Sequence, residues 1–189
     1  MRDPWKSTSP FPHIALAVLL CAGAASAQAA DVPRSDEAFM KQAAQNGHAE
    51  VESSKLALSK ASSPDVKTFA QQMVDDHTKA GDELTALAQS KGIKVSSEPS
   101  AAQRAKIKLM QTLDGASFDR SYASSMGVSA HEETIALFRK EAQQGKDPDV
   151  KAFATKTLPT LEHHLKMSKD LKAKTAAEKT ANSGNNRPQ

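Results

Sequence analysis

The sequence predicts an all-α protein, a four-helix bundle of two antiparallel hairpins joined by a long connection that contains a short helix. Aromatic residues make up 4 % of the 189 residues and there are only 8 glycines, a composition that favours helices over sheets. Apolar residues recur at steps of three and four in four long segments. The phrase Pro-Asp-Val-Lys-x-Phe-Ala starts at Pro64 and again at Pro148, which indicates two related hairpins.

The first 30 residues have the pattern of an export signal. Arg2 and Lys6 supply positive charge, and the apolar stretch at 14–25 is too short to span a bilayer comfortably. Small-x-small cleavage motifs follow at residues 25–29. We therefore expect a signal peptide over residues 1–30 and a periplasmic or secreted mature chain.

Cysteine and charge content exclude several classes of function. The single cysteine, Cys21, lies inside the predicted signal, so the mature chain has no disulfide and no thiolate ligand. The formal net charge is +3 and the two signs are interspersed, a distribution that lacks the basic face of a nucleic-acid-binding protein. We expect no nucleic-acid partner and no membrane span in the mature chain, and a homodimer is compatible with the sequence.

The first hairpin is bounded by clear capping signals. Ser35 or Asp36 suits the start of the first helix. Ser63 suits the cap of the second helix, and Pro64 is well tolerated in its first turn. Gly92 follows a lysine, a common arrangement at the end of a helix.

Residues 93–117 form the long connection, in which 100–113 are predicted to be a short helix. If the connection crosses the whole bundle, the helix order is ferritin-like. If the short helix only covers one end, the order is up-down-up-down. The sequence leaves both arrangements open, although the length favours crossing.

The second hairpin is predicted to comprise a helix over residues 118–145, a tight turn, and a fourth helix from Pro148. Pro159 lies inside the fourth helix and predicts a kink, because proline removes a backbone hydrogen bond. Residues 174–189 are rich in Ala, Lys, Thr and Asn and are predicted to be a disordered tail. The bundle domain is thus expected over residues 31–173.

Each long helix carries one ionisable side chain on its apolar face. These side chains are, in helix order, Glu50, His77, His131 and His164. Glu50 and His77 lie 14 and 13 residues from the proline between them, and the other two lie 17 and 16 residues from theirs. At about 1.5 Å per residue, the members of each pair should be level near mid-helix. One core layer is therefore expected to hold all four groups.

Such a layer has the composition of a metal site. A buried unpaired carboxylate costs several kcal/mol, whereas neutral imidazoles bind Zn, Fe or Cu and a carboxylate neutralises their charge. Three imidazoles and one carboxylate complete a tetrahedral or five-coordinate site. We predict a mononuclear metal site whose ligands are Glu50, His77, His131 and His164. The alternative is a metal-free hydrogen-bonded network that sets helix register.

Three further residues are predicted to lie just outside the ligands. Asp76 precedes His77 and is placed to orient a ligand. Met73 lies one turn before His77, and Met167 lies three residues after His164, a spacing that favours copper. Methionine as a core filler and a solvated aspartate are the structural alternatives.

The phrases FAQQMVDDHTKAGDELTALAQSKG, FDRSYASSMGVSAHEETIALF and LPTLEHHLKMSKDL resemble the DUF4142 family of exported bacterial proteins. The resemblance covers about residues 36–171. It implies a ferritin-like bundle outside the cytoplasm, in a family often labelled as outer-membrane proteins. It implies no activity.

The di-iron pattern of ferritins, Glu-x-x-His, is absent, because Val74, Val128 and Leu161 stand three residues before the core histidines. The residues therefore favour a metal-binding envelope protein with a role in metal handling or stress response. The alternative is an envelope interaction or stress protein without metal. An enzyme has little support, since we find no nucleophile–base pair and no phosphate loop.

Overall fold

The computed structural model describes residues 31–184, and in this part of the chain the secondary structure is entirely helical. The predicted all-α class is therefore confirmed for these residues. The predicted signal peptide and the last five residues lie outside them. The helices are α1 (Arg34–Lys60), α2 (Pro64–Ser90), α3 (Ala101–Met110), α4 (Gly115–Tyr122), α5 (Ala130–Gln144) and α6 (Pro148–Gly184), and a π-helical segment (Ala123–Ser129) joins α4 to α5.

The turn of the first hairpin is held by a carboxylate from α4. Asp119 accepts hydrogen bonds from the backbone N–H groups of Ser62 (3.1 Å) and Ser63 (2.9 Å). It also accepts one from the Ser62 hydroxyl. Because the backbone N–H groups that lead into α2 have no partner within the helix, a buried carboxylate that accepts from them fixes the turn beside α4.

The turn of the second hairpin is held in the same way by α1. Asp36 Oδ2 accepts hydrogen bonds from the backbone N–H groups of Lys146 (2.8 Å) and Asp147 (2.6 Å). Lys91, just after α2, forms ion pairs with Asp147 (2.8 Å) and Asp149 (2.9 Å). The start of α1 and the end of α2 therefore lie at the second turn.

The connection after α2 runs from this end of the molecule to the other. It leaves near Lys91, at the second turn, and arrives at Asp114, which pairs with Lys60 (2.7 Å) beside the first turn. On the way, α3 packs against α1 and buries Ile107 and Met110. In addition to its hairpin partner, α1 contacts α5, and α2 contacts α6.

The third long segment differs from the single α-helix predicted over residues 118–145. Its middle is π-helical from Ala123 to Ser129. Here the chain passes close to α6, where a Cβ at Gly127 would lie 3.1 Å from the Ser168 Cβ. Single π-helical turns insert a residue into an α-helix and change the phase of the residues after it, so the segment adjusts the face that α5 presents.

The last helix extends beyond the predicted boundary at residue 174. Lys174 forms an ion pair with Asp65 of α2 (2.6 Å), and Thr175 is buried. These contacts continue the packing of α6, which is helical to Gly184. The kink at Pro159 stays a prediction.

The core contains two apolar clusters, one near each turn, and the four predicted site residues lie between them. The cluster near the first turn includes Val66, Phe69, Met73, Phe118, Tyr122 and Leu171. The cluster near the second turn includes Phe39, Met40, Leu84, Ile135, Phe138, Val150 and Leu161. Within residues 31–184, every helix is too short or too polar to be a candidate membrane span.

Candidate metal centre

Three histidines from three helices meet in the core. The ring centroids of His77 (α2), His131 (α5) and His164 (α6) are separated by 5.3 to 5.5 Å. One nitrogen of each ring lies within 4.8 Å of those of the other two. The residues are only 8 %, 1 % and 1 % exposed, respectively. The predicted layer thus brings all three imidazoles together.

Hydrogen bonds on the outer sides of two rings fix their tautomers. His164 Nε2 donates to the Asp76 carboxylate (2.9 Å), and His131 Nδ1 donates to the Met126 carbonyl (3.3 Å), since neither partner has a proton to give. The opposite nitrogens, His164 Nδ1 and His131 Nε2, therefore carry free lone pairs. A metal-bound histidine has this same arrangement, with its outer N–H held by a carboxylate or carbonyl.

The free nitrogens have no other partner. His77 Nε2, His131 Nε2 and His164 Nδ1 are buried, and none of them forms a hydrogen bond. An unsatisfied buried polar group costs about 1–3 kcal/mol, and native proteins contain few of them. Three such atoms in one cluster could hold a metal ion.

Burial keeps the three rings neutral, the state required of a ligand. It lowers the pKa of His131 to about 4 and that of His77 well below its ordinary value. Burial also lowers the pKa of His164, against the opposing effect of the Asp76 hydrogen bond. At neutral pH, a metal ion therefore displaces no proton from these rings.

Glu50 is in the same layer but outside the group of three. Its side chain is 4 % exposed, and its Oε1 lies 4.0 Å from Nδ1 of His131, the nitrogen that faces the Met126 carbonyl. Because α1 contacts α5, the carboxyl reaches the outer side of that ring. Burial raises the pKa of Glu50 to about 8, so the group is mostly protonated at neutral pH without metal.

Of the other three residues predicted to lie near the ligands, Asp76 contacts a histidine and the two methionines pack in the core. Asp76 bonds to His164 on the opposite helix, not to the adjacent His77. Met73 is fully buried in the apolar cluster near the first turn, and Met167 packs against that cluster. Packing accounts for both methionines. His163, next to His164 in sequence, is exposed.

The Met126 carbonyl is a part of the site that sequence reasoning missed. It belongs to the π-helical segment, which places it opposite the His131 ring. The local signal is the run Ala-Ser-Ser-Met-Gly-Val-Ser at 123–129, in which five of the seven residues are small, and it does not specify a π-helix.

The metal-free protein is expected to be most stable near neutral pH. Below the ordinary histidine pKa of 6.5, the unfolded chain binds more protons than the folded one, so stability falls as the pH drops towards 4. Glu50 acts in the opposite direction, since its pKa is about 8 when folded and 4.5 ordinarily. The Glu50 contribution therefore falls as the pH rises from 4.5 towards 8. The three histidines outweigh this loss until the pH approaches about 7.

Thermal melting of the metal-free protein between about pH 4 and 9 measures this profile. Glu50→Gln should remove the alkaline decline and leave the acid decline in place. Lys106 is the cation that favours ionised Glu50, so Lys106→Met should extend the alkaline decline to higher pH. An alkaline limb that is identical in wild type and Glu50→Gln would contradict the assignment.

Solved structures share the fold at low sequence identity. A crystal structure of a DUF305 fragment from Deinococcus radiodurans matches with a TM-score of 0.67 and 12 % identity, covering 76 % of this chain and 98 % of that one. A conserved hypothetical protein, rv2844, from Mycobacterium tuberculosis matches with a TM-score of 0.58 and 14 % identity, covering 74 % and 91 %. These likenesses concern the fold alone.

No curated protein matches the chain. The sequence model of the family DUF4142, described as a domain of unknown function, matches residues 21–171. This range includes all three clustered histidines and both turns. The chain therefore belongs to the DUF4142 family.

Proposed function

We propose that the protein binds a single transition-metal ion through His77, His131 and His164. The observation that carries the proposal is the set of three buried ring nitrogens without a partner, all in one cluster. Imidazole nitrogen suits Zn²⁺, Cu²⁺ and Fe²⁺. Three imidazoles leave at least one coordination position open.

Two carboxyl groups balance the charge of the ion. Asp76 and Glu50 approach the outer nitrogens of His164 and His131, respectively. Charge on these groups reaches the ion through the rings, as is common around metal-bound histidines. Glu50, the predicted fourth ligand, is proposed to lose its proton when the ion binds, since a nearby cation favours the ionised carboxyl.

A metal-free polar network is the weaker alternative. Such a network would pair the buried nitrogens with one another or with Glu50, because an unpaired polar group gains nothing from burial. The three nitrogens instead have no hydrogen-bond partner. This observation favours a metal-binding role over a purely structural one.

We extend the proposal to a ferritin-like helix order and a place in the cell envelope. The helix order is supported by the connection that runs from the turn of the second hairpin to that of the first hairpin. The location in the envelope is supported by the pattern of residues 1–30. Metal handling or protection against envelope stress fits both. Fractionation of cells that produce the full chain tests the location, and recovery in the cytoplasm alone would contradict it.

Metal analysis of the purified mature protein tests the metal site. We expect about one equivalent of metal per chain after exposure to Zn²⁺, Cu²⁺ or Fe²⁺ and removal of excess. His164→Ala should lose the bound metal. His163→Ala is a matched control, because it removes the neighbouring exposed imidazole, and it should retain the full equivalent. A wild-type protein that takes up none of the three ions would overturn the proposal.

A further inference from the structure

A cavity of about 270 Å³ leads from the surface between α1 and α2 to His77 of the histidine cluster. Exposed residues at its outer part are Lys55, Thr78 and Asp82. Buried Glu50 and His77 lie at its inner part. The cavity therefore connects solvent to the proposed metal site from one side.

Two glycines inside long helices keep this cavity open. Gly47 of α1 and Gly81 of α2 both line it, and a Cβ added at either position would meet nothing within 4 Å. Glycine in a helix interior costs about 1 kcal/mol relative to alanine. Helix propensity and close packing would both favour a residue larger than glycine at these two positions. The empty volume beside them therefore needs another explanation.

A histidine at the inner end of the cavity supports the inference of a ligand. His77 lines the cavity, is 8 % exposed, and carries a buried Nε2 without a hydrogen-bond partner. A molecule in the cavity would thus lie beside His77, and a nitrogen or oxygen donor on it would be near the open side of an ion bound there.

The residues that line the cavity indicate the chemistry of the remainder of the ligand. Buried apolar side chains form much of the surface, and they are Leu84, Phe138, Phe153 and Leu161. The hydroxyl-bearing Thr134 and Thr157 also line the cavity. A cavity of about 150 Å³ holds benzene, so 270 Å³ accommodates a ring with a second small group.

We propose that the cavity beside Gly47 and Gly81 binds a small molecule with an apolar body and one nitrogen or oxygen donor, which faces His77. The proposal rests on the proposed function in one respect, since the donor fills the open position of the bound ion. The apolar body is held by the cavity walls and needs no metal.

The test compares imidazole with 4-phenylimidazole, which adds an apolar ring to the same donor. Cu²⁺-loaded protein is titrated with each compound, and its absorption spectrum is followed. Burial of the phenyl ring should make 4-phenylimidazole bind at least about tenfold more tightly. Gly81→Leu should remove this difference without lowering the metal content. Ala86→Leu, on the exposed side of the same helix, is the control and should preserve it.

Calorimetric titration of the metal-free protein with 4-phenylimidazole separates this inference from the proposed function. If copper loads but both compounds bind equally, the cavity inference is overturned and the metal site stands. If no metal loads, yet 4-phenylimidazole binds the metal-free protein and Gly81→Leu prevents this, the cavity is a ligand site and the metal proposal fails. Absence of both metal loading and binding overturns both.

Discussion

Replacing His77 by leucine is expected to stabilise the metal-free protein and to abolish its stabilisation by metal. The buried Nε2 of His77 has no hydrogen-bond partner, and such a group costs about 1–3 kcal/mol. Leucine has no polar atom to satisfy and continues the apolar stripe of α2. We expect the free energy of unfolding of the metal-free variant to rise by about 1 kcal/mol.

The wild type should respond to metal in the opposite way. A ligand at about 1,000 times its dissociation constant adds about 4 kcal/mol to stability, which raises the melting temperature of a domain of this size by about 8–16 °C. With two imidazoles left, His77→Leu should show less than a quarter of that shift. Thermal melting with and without excess Zn²⁺ measures both effects.

His163→Leu is the matched control for this experiment. It makes the same chemical change at an exposed position, so the full metal-dependent shift should persist. A metal-free His77→Leu protein that is much less stable than wild type would show that the ring is needed for packing. Equal metal-dependent shifts in His77→Leu and wild type would remove His77 from the ligand set.

Replacing Asp119 by alanine is expected to lower the free energy of unfolding by about 3 kcal/mol. The carboxylate is 1 % exposed and accepts three hydrogen bonds at the first turn, from Ser62 N, Ser62 Oγ and Ser63 N. Hydrogen bonds to a charged group contribute about 1.5–3 kcal/mol each, but they are not additive within one network. The loss also leaves buried backbone donors unpaired.

Urea denaturation of Asp119→Ala and Asp114→Ala measures this effect against a close control. Asp114 is acidic, lies five residues away and pairs with Lys60, but its side chain is 80 % exposed. Surface pairs contribute less than about 1 kcal/mol. Metal content should be unchanged in both variants, because His131 lies about 18 Å further along the chain at 1.5 Å per residue. Equal stability losses in the two variants would contradict the role of Asp119.

The prediction of the histidine layer from the sequence succeeded because helical geometry is regular. Fixed rise and rotation per residue convert sequence spacing into height and facing direction. His77, His131 and His164 lie on apolar stripes at similar distances from two turns, so their meeting follows once the helices pack side by side. The burial of Glu50 follows in the same way.

Sequence spacing could not specify how side chains are arranged within that layer. The sequence predicts that Asp76 orients a ligand but not which one, and its carboxylate bonds to His164 because α2 and α6 are in contact. Glu50 lies at the outer nitrogen of His131. Such pairings depend on relative helix rotation, which depends on many packing contacts at once.

By itself, the sequence determined the helical class, the two hairpins and the four ionisable groups of one core layer, since each depends on local periodicity and turn residues. Only the tertiary structure decided the π-helical turn before His131, the tautomers of two rings and the cavity between α1 and α2. These features arise where separate helices touch, and the energies of such contacts depend on distances of a few tenths of an ångström that no local pattern encodes.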